Sequence, residues 1–324
     1  KCTLLAGLRF IRRASGITRV RPNQTNKGTA VKAALPILAL SAGLLGTERT
    51  GHGIRIRPDG LIVTVGYLVI DAEQVWLTSA EGNASPGYVI AQDYDSGLAL
   101  LRPTISLGEG FLMPVSKDDL VVGDSLQIAG SGEIGIFSRK LIAKQEFAGR
   151  WEYLLDEALF MAPACDNWAG AGLINNMGQL YGVGSLLLEI PVDNHKQTEC
   201  NMFIPVDLIA PYIDEMCVHG QRNIPARPWL GSLIQEYEGK LVVVGVYRNC
   251  PADRAGIQPG EVVVSVNDEP VTSLAELFRK VWSLGSAGVE VPLTISGSGS
   301  VRRCCLQSID RSTIYQRQQT ESLN

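Results

Sequence analysis

The 34 glycines of this 324-residue chain sit between short runs of Val, Ile and Leu, as in Gly60–Val65, Leu120–Ala129 and Leu241–Val246. Apolar runs of that length, closed by Gly, Asp or Pro, have the form of strands joined by tight turns. Few segments hold a helical period. The chain is therefore expected to be mostly β, and its length favours about two domains over one core.

The formal net charge of −4 hides an asymmetry. Residues 1–47 carry Lys1, Arg9, Arg12, Arg13, Arg19, Arg21, Lys27 and Lys32 and no acid, which leaves 21 basic against 33 acidic residues in the body. An acidic body argues against nucleic acid as a partner, because phosphate binding needs a clustered basic face. The leader runs into Ala33–Gly46, an uncharged apolar stretch. A basic segment before a short apolar run has the form of an export signal or anchor, and an Arg-rich, acid-free leader also fits a mitochondrial transit peptide. The stretch falls short of a membrane span. With equal weight, it reads as the first buried segment of the first domain.

From Gly51 the strand pattern is continuous: Ile54–Arg57, Leu61–Val65, Gln74–Thr78, Tyr88–Ala91, Leu98–Arg102, Leu120–Ala129, Lys140–Glu146, Tyr153–Met161, Gly172–Asn175, Leu180–Leu187 and Phe203–Pro205. A helix at Val206–Cys217 closes this run, so a first domain is expected over 48–218 and a linker over 219–227. A second domain over 228–310 has strands at Gly231–Gln235, Leu241–Val246, Val262–Val266 and Val291–Ser296, with an amphipathic helix at Leu274–Trp282. Residues 311–324 read as a polar, disordered tail. Seven cysteines without C-x-x-C spacing and three scattered histidines resemble neither a zinc site nor a disulfide framework, so no metal or cofactor is expected.

Several segments, in order, resemble the HtrA family of trypsin-like serine proteases. They are Gly51–Ile54 with Pro58–Thr64, Asp93–Leu101, Val122-Gly123-Asp124, Ala162–Gly184 with its end Gly178–Val183, and Phe203-Ile204-Pro205. The resemblance implies a trypsin-like double six-stranded β-barrel. It also places the chemistry, which in such proteases needs a hydroxyl nucleophile, an imidazole base and a carboxylate that orients it. In the T-x-x-H-V-V pattern this chain has Thr64-Val65-Gly66-Tyr67-Leu68-Val69, so Tyr67 stands at the base. Gly97 stands at the carboxylate position, and Ala169 at the nucleophile in Asn167-Trp168-Ala169-Gly170-Ala171-Gly172-Leu173. Asn167 replaces the oxyanion-loop glycine and Trp168 adds an indole beside it. A phenol is a poor base at neutral pH. Triad and loop together read as a natural pseudoprotease. An active serine endopeptidase with an unrecognised arrangement is the alternative: a Cys165–His195 pair is conceivable, although no spacing favours it, and Ser185 and Tyr67 have no identifiable base.

Pro228-Trp229-Leu230-Gly231, then Cys250–Val263, then Val266–Val271 resemble a PDZ domain of the bacterial type. In such domains a peptide adds as a strand to an exposed sheet edge. The resemblance implies a carboxylate-binding loop at Trp229, Leu230 and Gly231, an edge strand at Ser232, Leu233 and Ile234, and an apolar pocket lined by Leu277 and Val281. The partners implied are C-terminal or unfolded peptide segments of other proteins. A homotrimer, or assembly with an active paralogue, is also implied. The role implied is that of a peptide-binding scaffold or regulator in envelope protein quality control. Periplasmic or membrane-anchored placement is expected, with mitochondrial or cytoplasmic as the alternative.

Overall fold

The computed structural model describes residues 5–11, 48–72, 74–130, 136–166, 168–193, 196–297 and 299–314. Six antiparallel strands form a first closed barrel in the order β1-β2-β3-β6-β5-β4. They are β1 (Leu5–Ile11), β2 (Glu48–Arg55), β3 (Ile62–Val65), β4 (Gln74–Ser79), β5 (Ala84–Asp93) and β6 (Leu98–Pro103). β4 alternates exposed and buried residues, as a strand with one wet face must, whereas all four residues of β3 are buried.

β1 corrects the reading of 1–47 as one leader. It pairs with β2 from Leu5↔Ile54 to Ile11↔Glu48 and with β4 from Ala6↔Ser79 to Ile11↔Gln74. Without it those two strands would present unpaired backbone edges, which a closed barrel abolishes. The apolar stretch Ala33–Gly46 lies outside the described residues. Among the described residues, no helix is long and apolar enough to cross a membrane.

The second barrel uses β7 (Met113–Pro114), β8 (Ser125–Ala129), β9 (Ile136–Gly149), β10 (Tyr153–Ala162), β11 (Gly172–Ile174), β12 (Gln179–Asp193) and β13 (Lys196–Pro205). The order β11-β8-β9-β10-β13-β12 closes through a β11–β12 pairing, and β7 runs parallel to β12 outside the ring. β8 starts later than the sequence suggests. Residues 121–124 form a turn in which Asp124 N–H donates to the Val121 carbonyl and Gly123 has φ +106°, so Leu120–Ala129 is not one strand. β10 serves three cores. Leu155, Ala158 and Phe160 join the cluster shared with the first barrel, Leu159 and Met161 fill the second barrel, and Leu154 packs into the downstream domain.

The helix expected at Val206–Cys217 is instead two short 3-10 turns, Val206–Leu208 and Ala210–Tyr212, followed by α1 (Ile213–His219). Pro211 lacks the N–H that a continuous helix would use there, and the chain restarts its turn around it. Past α1, Arg222 pairs with Asp93 at 2.9 Å and Asp95 at 3.1 Å, which ties the connecting segment to the first barrel.

The final sheet has β14 (Ser232–Tyr237), β15 (Lys240–Val246), β16 (Val262–Val266), β17 (Glu269–Pro270), β18 (Glu290–Gly297) and β19 (Ser300–Gln307). Its order is β14-β15-β16-β18-β19, with β17 hydrogen-bonded to β16. Two helices complete it, α2 (Pro251–Arg254) and α3 (Leu274–Ser283). Ser273 caps α3 by accepting from Glu276 N–H, while the Glu276 carboxylate reaches back to Thr272 N–H at 2.9 Å. Leu277, Phe278 and Val281, on one face of α3, are buried against this sheet. The tail expected over 311–324 is not borne out at its start. Residues 312–314 form a helical turn, Ser312 is buried, and 315–324 lie outside the described residues.

Candidate functional site

The three positions expected to carry protease chemistry come together between the barrels. Thr64, at the end of β3, donates its hydroxyl to the His52 carbonyl at 2.7 Å. Gly66 N–H then donates to the Gly97 carbonyl at 2.7 Å, which sets the 3-10 turn Gly66–Leu68 against the start of β6. Tyr67, inside that turn, donates its hydroxyl to the Ser185 carbonyl at 2.7 Å. Trp168 Nε1 donates to the same oxygen at 3.1 Å. Two donors on one carbonyl use both of its lone pairs. Burial raises the Tyr67 phenol well above its ordinary range, against a smaller opposing effect from Trp168.

Gly97 has φ +77°, and a Cβ there would meet the Tyr153 ring and hydroxyl oxygen at 3.1 Å. The space beside this position is thus filled by Tyr153, whose own hydroxyl donates to the Ser96 carbonyl at 2.5 Å. Ala169 offers a methyl group, and its carbonyl accepts from His52 N–H at 2.8 Å. The next residue is locked in place. A Cβ on Gly170 (φ +77°) would stand 1.9 Å from the His52 carbonyl oxygen, so only glycine fits. Asn167 and His195 lie outside the described residues. Cys165 is gripped by Asn201, which accepts from its N–H at 2.7 Å and donates to its carbonyl at 3.1 Å. Burial raises the Cys165 thiol, the opposite of what activates a cysteine nucleophile.

The second expected site is the edge of β14. Gly231 has φ +78°, and a Cβ there would lie 2.4 Å from Cys250 Cβ, so the loop needs glycine to pass. Trp229 is buried against Tyr247, with ring centroids 5.4 Å apart. The outward N–H groups of Leu230 and Ser232 converge on one carboxylate. That carboxylate belongs to Glu152, in the turn between β9 and β10. Leu230 N–H donates to Glu152 Oε2 at 2.8 Å, and Ser232 N–H donates to Oε1 at 2.8 Å. The Ser232 hydroxyl adds a contact to Oε1 at 3.2 Å. Two residues on, Ile234 N–H donates to the Arg150 carbonyl at 2.9 Å. Leu277 and Val281 are buried in one cluster with Leu230, Ile234 and Leu154. Leu233 is half-buried.

Glu152 sits at φ +57°, an uncommon conformation for a side chain of this kind. Burial raises its carboxyl above the ordinary range, and the N–H groups of Ser232 and Leu230 oppose that. Arg279 of α3 braces both strands of the hairpin, at 2.5 Å from Glu146 in β9 and 2.5 Å from Asp156 in β10. Arg150, Glu152 and Leu154 are site residues that the sequence did not single out. The nearest local signal is Gly149, whose Cβ would strike the Trp151 ring at 2.8 Å. That marks a tight turn without saying what the turn touches.

Residues 242–295 match the PDZ domain family. A probable periplasmic serine endoprotease, DegP-like, from Chlamydia pneumoniae is 24% identical over 269 residues, covering 78% of this chain and 53% of its own length. The serine endoprotease DegS of Salmonella typhimurium is 23% identical over 263 residues, covering 76% of this chain and 72% of its own. The chain thus spans about half the length of the DegP-like relative. Among solved structures, the HtrA-type protease AlgW with a decapeptide has a TM-score of 0.53 at 16% identity, covering 95% of this chain and 96% of that one. The chain is mostly β and has the fold of an HtrA-type protease with a PDZ domain.

Proposed function

We propose that this chain, built on the fold of HtrA-type proteases with a PDZ domain, is a non-catalytic protein that binds peptide segments through the edge of β14. The observation that carries the reading is the shared use of the Ser185 carbonyl by Tyr67 and Trp168. A general base must accept a proton within reach of a nucleophile. Tyr67 instead keeps its proton and points it at a backbone oxygen, Ala169 has no hydroxyl to activate, and Gly97 has no carboxylate to orient anything. The two steps of serine-protease chemistry, attack and proton relay, thus have no nucleophile at 169 and no free base at 67.

Peptide binding rests on a different set of groups. Backbone donors at alternate residues of β14 and an apolar wall from α3 are what an added strand with a terminal carboxylate requires. The periplasmic relatives support placement in the cell envelope. Assembly as a homotrimer or with an active paralogue, and a part in protein quality control, belong to this proposal as well.

The test is to restore serine alone. Ala169→Ser is expected to give no labelling by a fluorophosphonate probe and no cleavage of unfolded casein, because base and orienter are still absent. Turnover in that variant would overturn the assignment of Tyr67 and Gly97. Turnover in the unmodified chain would instead favour the endoprotease activity named for its relatives.

A further inference from the structure

The groove assigned to peptides is already filled, and its occupant reproduces a peptide feature by feature. The segment Arg150-Trp151-Glu152 runs antiparallel to β14, with its C-terminal end at the Leu230–Ser232 loop. It gives the Arg150 carbonyl to Ile234 N–H at 2.9 Å, so the outward donors at 230, 232 and 234 are all used by one short stretch of chain. Ser232 and Ile234 are alternate residues of one strand edge, and Leu230 lies in the loop that leads into it. The carboxylate is a side chain standing where a terminal carboxylate would stand. Leu154, which is 6% exposed, supplies the apolar anchor among Leu230, Ile234, Leu277 and Val281.

We infer that the β9–β10 turn is an internal ligand of the PDZ groove, so that the chain rests self-occluded and a peptide must displace Glu152 and Leu154 to bind. The inference rests on the peptide-binding reading of β14 and adds its regulation. Displacement would do more than free a groove. The same hairpin carries Glu146 and Asp156, both held by Arg279, and Trp151, whose carbonyl lies 3.5 Å from an Arg311 guanidinium nitrogen. Peptide capture would therefore detach the second barrel from the PDZ domain at its main contact. A free terminus with an apolar last residue matches the vacated groups, one carboxylate for two N–H donors and one side chain for the Leu154 pocket.

Two readouts on the full chain separate this inference from the one beneath it. The first is amide hydrogen exchange at Leu230, Ser232 and Ile234 in the unmodified chain, Glu152→Ala and Glu152→Gln. The second is fluorescence anisotropy with a short fluorescein-labelled peptide ending in a free leucine carboxylate, alongside its C-terminal amide. Exchange at Leu230 and Ser232 should be at least about tenfold faster in Glu152→Ala. The free-acid peptide should bind that variant at least about tenfold more tightly than the unmodified chain, since apparent affinity falls by the fraction of open grooves. Glu152→Gln, which keeps shape and one acceptor, should lie between and carries the test if the alanine variant fails to fold. Faster exchange without binding of either peptide would support the occlusion and refute the peptide-binding reading. Equal, carboxylate-dependent binding by all three proteins, with unchanged exchange, would overturn the occlusion and leave peptide binding intact.

Discussion

The cleft between the barrels and the edge of β14 are both filled by the chain itself, but by different kinds of group. In the cleft, the Ser185 carbonyl is taken by Tyr67 and Trp168, and the residue beside them is fixed by Gly170 against His52. Tyr67 packs against the same core as the barrels. At β14 the filling is a turn that offers a carboxylate, a carbonyl and a leucine. A short peptide can offer the same three. On the proposed reading, internal filling of the first sort abolishes a site, while filling of the second sort regulates one.

The contrast can be broken at three strengths. Leu154→Ala removes the buried anchor and should cost about 2–5 kcal/mol, read by chemical denaturation, with faster exchange along β14 and none of that change around Ser185. Protected β14 amides in this variant would mean that the hairpin is not what covers them. Tyr67→Phe deletes one of two donors to a single carbonyl and should cost about 1 kcal/mol with no gain of peptidase activity. A cost near zero would show that the Tyr67 hydroxyl is not part of the fixed filling. Arg279→Ala breaks a brace that is half exposed, so its effect on stability should stay within ~0.5 kcal/mol and shrink as salt is raised. A larger, salt-independent loss would mean that Arg279 does more than steady the hairpin.

Much of the fold was legible because it is written in local patterns. Short apolar runs located most strands of both barrels, and the Cys250–Val263 segment located the second domain. What escaped was decided by distant partners. β1 is an apolar run with one arginine, set inside a leader whose overall basic charge hides it, and its partners β2 and β4 lie about 40 to 70 residues further along. β19 has no apolar run to mark it, because Arg302, Arg303, Cys304 and Cys305 each pair across to β18 while Leu306 alone is fully buried. Motif order names Tyr67, Gly97 and Ala169, but it does not show that Tyr67 and Trp168 share the Ser185 carbonyl. Glu152 was the least accessible of all. Its partners lie 78 and 80 residues further along, and no periodicity in β9 or β10 marks a carboxylate that will cap another domain's loop.

The left-handed backbone of Glu152 has its own consequence. A peptide terminus ends at the loop, whereas this chain must continue into β10, and it does so by turning through φ +57° immediately after making its contacts. That conformation costs on the order of 1 kcal/mol for a residue with a side chain. The tethered segment thus competes with a handicap in intrinsic fit and an advantage in proximity, its local concentration being of the order of millimolar for a short connection. The balance of the two sets a threshold. Isolated chain ends at low abundance stay below it, and ends that are tight-binding or crowded together cross it.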